Sequence, residues 1–99
     1  DSITNHNIVN LKTIADNFRI NPFPSMNDYQ TLSGDLKTGL NTMIQQCKMT
    51  GPDHDALHHW LEPVLKGAND LKNAADTTAG HTIFKSIDKQ IDDYHNYFE

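Results

Sequence analysis

Four stretches of this sequence repeat apolar residues at intervals of three and four, and the breaks between them are short. That interval is the period of an α-helix with one buried face, and it constrains the chain to a helical bundle more than any other feature does. The first stretch carries Ile8, Leu11, Ile14, Ala15 and Phe18, and the second carries Tyr29, Leu32, Leu36, Leu40, Met43, Ile44 and Cys47. The third carries His54, Leu57, His58, Leu61, Val64, Leu65, Ala68 and Leu71. The fourth carries Ile83, Phe84, Ile87, Ile91, Tyr94, His95 and Phe98.

The breaks have mechanisms. Asn21-Pro22-Phe23-Pro24 stops the first helix, because a proline disfavours α geometry at the residue before it. Ser25 with Asp28 three positions on is a capping-box variant that opens the second. Gly34 and Gly39 each lower that helix's intrinsic stability by about 1 kcal/mol relative to alanine, so packing must hold it. Gly51 ends it, and Pro52 suits the first turn of the third helix, where its missing N–H costs nothing. Pro63 lies inside the third pattern and is expected to kink that helix rather than end it. Ser2 or Thr4 is the expected cap of the first helix, and Thr77 or Thr78 that of the fourth. Helices are expected near 3–19, 25–49, 53–74 and 79–97. Short connections make neighbours antiparallel, so the expected architecture is all-α, an up-down-up-down antiparallel four-helix bundle. Residues 1–99 form one domain, expected to be monomeric.

Composition narrows the function classes. A net charge of −5 with no clustered Lys or Arg argues against nucleic acid as a partner. No apolar run approaches the roughly 20 residues that span a bilayer. One cysteine leaves no internal disulfide framework. The start at Asp1 without methionine is compatible with a removed export signal.

The up-down order has a chemical consequence. It gathers His6, Cys47, Met49, His54, His58, His59 and His95 at one end and leaves His81 at the other. His54 and His58 lie four apart, which stacks two imidazoles on one helix face. His59 falls about 100° away on the solvated face. A thiolate, a thioether and two imidazoles form a soft-to-borderline donor set, suited to copper and, without the methionine, to zinc. Each donor alone has an ordinary structural role; their coincidence in one connection is what points to Cys47, Met49, His54 and His58 as metal ligands. His6 and His95 are a second pair, able to serve as axial ligands of a haem b held between helices one and four. Stacking of His95 on Tyr94 and Tyr97 is the structural alternative. Catalysis has no motif behind it: no Gly-x-Ser-x-Gly elbow, no phosphate-binding glycine loop and no Glu-x-x-His run is present. A cofactor-free structural or interaction module is therefore the reading from the other class.

The run Cys47-x-Met49-x-Gly51-x-x-His54-Asp-x-Leu57-His58-x-Trp60-Leu61, with a closing Tyr94-x-x-Tyr97-Phe98, resembles small helical proteins of Bacteroidetes-type bacteria. The resemblance covers roughly residues 36–98. It implies a helical fold and a periplasmic or envelope-anchored location, with a lipid anchor upstream, and brings no activity with it. The closing Asp93-Tyr94-His95-x-x-Phe98 region and the overall length are also similar to the soluble b-type cytochrome bundles. That likeness implies His95 as one haem ligand, with His6 standing where those proteins have methionine.

Overall fold

The computed structural model describes residues 2–48 and 50–96. Its helices are α1 (Ser2–Arg19), α2 (Met26–Gln46), α3 (Gly51–Lys72) and α4 (Thr77–Asp92), followed by a 3-10 turn at Asp93–Asn96. They pack as the expected antiparallel four-helix bundle, 40 × 23 × 21 Å, with the long axis along the helices.

The second helix starts as its sequence dictates. The Asp28 N–H donates to Ser25 Oγ at 3.1 Å, and the Ser25 N–H donates to Asp28 Oδ2 at 2.9 Å. This reciprocal pair satisfies two early donors of the helix. The first helix ends at Arg19 as expected, while several other starts and ends differ. Thr4 is buried inside α1 and is no cap. Asp76, one residue before the expected threonines, caps α4 by accepting from the Ala79 N–H at 2.8 Å. α2 stops at Gln46 rather than 49, and α3 begins at Gly51 rather than 53.

The core stripes hold among the described residues, with changes on α2 and α3; Phe98 and the His95 side chain lie outside the described part. Ile44, expected inward, is 43% exposed, while Trp60, outside the expected stripe, is fully buried. The buried arc of α3 therefore runs through Leu57, Trp60, Leu61, Val64, Ala68 and Leu71, with His54 and His58 on its margin. α4 was expected to run to 97 but loses α geometry after Asp92. Trp60 Nε1 donates to the Gln90 carbonyl at 2.7 Å. In a continuing α-helix that carbonyl would accept from the N–H of residue 94, so the indole takes over an acceptor at the helix end. Pro63 stays inside α3. It has no N–H to offer the His59 carbonyl, and beside that gap the Trp60 carbonyl accepts from Gln90 Nε2 at 3.0 Å.

Three glycines act as notches between helices. A Cβ at Gly39 of α2 would meet Leu11 of α1 at 2.9 Å, and one at Gly67 of α3 would meet Ile87 of α4 at 2.5 Å. One at Gly80 of α4 would meet the Tyr29 ring of α2 at 2.9 Å. α2 and α3 are joined by Ser33 Oγ, which donates to the Ala68 carbonyl at 2.6 Å in the buried interior. Phe18, Tyr29 and Phe84 close the end of the bundle away from the 47–50 connection, with Phe18 5.1 Å from Tyr29 and 4.8 Å from Phe84 between ring centroids.

Candidate metal site at the α2–α3 connection

Cys47 is the C-cap of α2, with extended backbone angles (φ −64°, ψ 125°). Three positions on, Thr50, the N-cap of α3, is also extended. Gly51 has φ +66°, a left-handed conformation that a side chain makes costly, and Pro52 follows in the first turn. This connection sets the last residue of one helix against the first turn of the next. Gln46, just before Cys47, is tied to α1 because its Oε1 accepts from Asn7 Nδ2 at 3.0 Å.

The result is a thiol–imidazole pair. Cys47 Sγ lies 3.7 Å from His54 Nδ1, and both side chains are half-buried. The sulfur donates to an unprotonated Nδ1 and accepts from a protonated one. One turn on, the half-buried His58 packs edge-on against the His54 ring, with centroids 4.4 Å apart and an interplanar angle of 72°. Three of the expected donors thus form a chain of contacts from Cys47 to His54 to His58. Met49 lies outside the described residues. His59 is exposed, as expected for the solvated face. His6 is exposed on α1; His95 falls in the 3-10 turn, and its side chain lies outside the described part.

The donor separation can be compared with what an ion requires. With bonds of about 2.3 Å to sulfur and about 2.0 Å to nitrogen, tetrahedral angles put the two donors about 3.5 Å apart and a linear arrangement about 4.3 Å. The observed 3.7 Å lies between these limits. Among the described residues, no three His, Cys, Asp or Glu side chains converge as a ready cage. Asp53 and Asp55, the nearest carboxylates in sequence, are exposed.

No family model, curated protein or solved structure matches the chain. No helix among the described residues is long and apolar enough to cross a membrane.

Sequence reasoning assigns no role to two residues that shape this end of the bundle. Trp60 fills the core nearly two turns beyond His54 and stacks edge-on with Tyr94 at 5.7 Å. Gln90 receives and returns its hydrogen bonds across α3 and α4. The signal that could have found Trp60 was its position three residues after Leu57, on the same arc as Leu61 and Val64.

Proposed function

We propose that the α2–α3 connection binds a soft or borderline transition-metal ion, copper(I) foremost, for sequestration or delivery. The observation that supports this reading is the 3.7 Å separation of Cys47 Sγ and His54 Nδ1, one at the C-cap of α2 and the other in the first turn of α3. His58 and Met49 are the further donors of the proposed site. Copper is favoured over zinc because the donor set includes a thioether and because copper heads the affinity order for nitrogen and sulfur sites. Thiolate and imidazole also satisfy copper(I) at low coordination number, which suits a pair better than a closed cage. The resemblance stated above implies a location in the cell envelope.

Metal titration of the wild type beside Cys47→Ser and His54→Ala/His58→Ala, read by calorimetry and elemental analysis, tests the proposal. The wild type should bind one ion, and both variants should lose most of the affinity. Equal metal content in all three proteins would remove the site as drawn. Retention in these variants with loss in His95→Ala would move the ligands into the bundle interior, as a haem or metal site there requires.

A further inference from the structure

The four helices make a closed ring of neighbours, but the seam between α1 and α4 is built differently from the others. α1 touches α4 far less extensively than it touches α2. The seams α1/α2 and α3/α4 each have a glycine notch filled by an apolar side chain, Leu11 on Gly39 and Ile87 on Gly67. α2/α3 has the buried Ser33–Ala68 bond. Between α1 and α4 with its 3-10 extension, three polar links among the described residues fall at heptad intervals on α1, beside the apolar Phe18–Phe84 contact. Asn5 Oδ1 accepts from Tyr94 Oη at 2.8 Å, Lys12 Nζ faces Asp92 Oδ1 at 3.7 Å, and Arg19 makes two bonds to Asp88 at 3.1 and 2.6 Å. The Lys12 and Asp92 side chains are 42% and 58% exposed, so water and salt compete with that pair.

The seam is also uneven along its length. At the Arg19 end, the Phe18–Phe84 contact and the two-pronged Arg19–Asp88 bond lock it. At the other end the links among the described residues include the long Lys12–Asp92 pair and the single Asn5–Tyr94 bond. We infer that the α1–α4 seam is the line along which this bundle opens, beginning at the Asn5–Tyr94 end and stopping at the Phe18–Phe84 contact. Opening exposes the apolar stripes that the polar ladder flanks, Ile8 and Leu11 on α1 and Ile87 and Ile91 on α4. Elements with few buried contacts and exposed polar links are the ones that open below the global unfolding free energy.

Hydrogen exchange of the intact chain, followed by mass spectrometry in low and high salt, tests this. Backbone amides of 4–12 and 88–93 should exchange about tenfold or more faster than those at the centres of α2 and α3. The gap should widen in high salt, while the amides around Phe18 and Phe84 stay protected. Tyr94→Phe, which deletes the donor to Asn5, should speed exchange in the same two segments only. Lys12→Leu/Asp92→Leu, which makes the ladder apolar, should slow it and abolish the salt response. Uniform protection across the four helices, opening that begins at the Phe18–Phe84 end, or indifference to salt would overturn the inference. The wild-type salt series decides by itself if the double variant does not fold.

Discussion

Trp60 and Gln90 exchange two hydrogen bonds across the α3–α4 interface, each side chain bonding the other's backbone carbonyl. The indole is fully buried, so both partners lose more than contact area if the exchange is broken. Gln90→Ala should cost about 1–2 kcal/mol, because it removes the donor to the Trp60 carbonyl. Trp60→Ala should cost about 3–5 kcal/mol, since it adds a cavity to an unsatisfied helix-end carbonyl. Urea unfolding followed by circular dichroism measures both.

The glycine notches make opposite predictions for chemically identical substitutions. Gly67→Ala drives a methyl into Ile87 and should destabilise by about 1–3 kcal/mol, with Ile87→Val restoring part of the loss. Gly34 has open space where its Cβ would be, so Gly34→Ala should stabilise α2 by about 0.5–1 kcal/mol. Thermal melts of the two single variants, compared with the wild type, would show opposite shifts.

Alkaline pH should weaken the bundle through two tyrosines. Burial raises the phenols of Tyr29 and Tyr94 above the ordinary tyrosine value. A group whose folded-state value is raised contributes stability that is complete below the unfolded value and lost as pH rises through the folded one. The loss should therefore begin near the ordinary tyrosine range of about 10 and grow above it. Ionisation of Tyr94 also removes the donor to Asn5. A pH series of denaturation midpoints should fall less steeply in Tyr29→Phe/Tyr94→Phe than in the wild type.

Acid acts on a different part. The Ser25 backbone and hydroxyl hydrogen bonds, with a contribution from Asn21, hold the Asp28 carboxyl below its ordinary value. Its contribution is present above the unfolded value and disappears as pH falls through the depressed one. Asp28→Asn should flatten that part of the acid limb, measured by the same midpoints.

Copper uptake, on the proposed reading, should release protons and weaken as pH falls, because a bound cysteine is a thiolate and a bound histidine is neutral. Calorimetry in buffers of different ionisation enthalpy counts the protons. A proton count of zero with full copper loading would place the ion away from Cys47.

How far the fold was legible depends on the kind of interaction each residue makes. The Ser25–Asp28 box and the Gly51-Pro52 reversal are local, so adjacent residues determine them. The heptad-like stripes were legible for the same reason. Ile44 and Trp60 were misplaced because the edge of a buried arc is set by where the neighbouring helix lies. Asp76, Thr77 and Thr78 offer three consecutive caps, and only the approach of α4 to the bundle chooses among them. The early end of α4 was not legible, since a residue of α3 takes its carbonyl. At the site, the pairing of Cys47 with His54 followed from the reversal between helices. The edge-on contact of His58 with His54 followed from helical spacing alone.

The polar ladder between α1 and α4 also bears on how the chain reaches this structure. Three of the four seams join helices consecutive in sequence, so they close short loops and form at little entropic cost. The fourth joins Asn5 to Tyr94, which requires nearly the whole chain to be in place. Bundles dominated by local contacts fold quickly, and a last-formed seam contributes little to their transition state. Substitutions at Asn5, Lys12 or Asp92 should therefore leave the folding rate almost unchanged and appear in the unfolding rate. The unfolding rate should therefore report on this seam, and the folding rate on the three hairpins of consecutive helices.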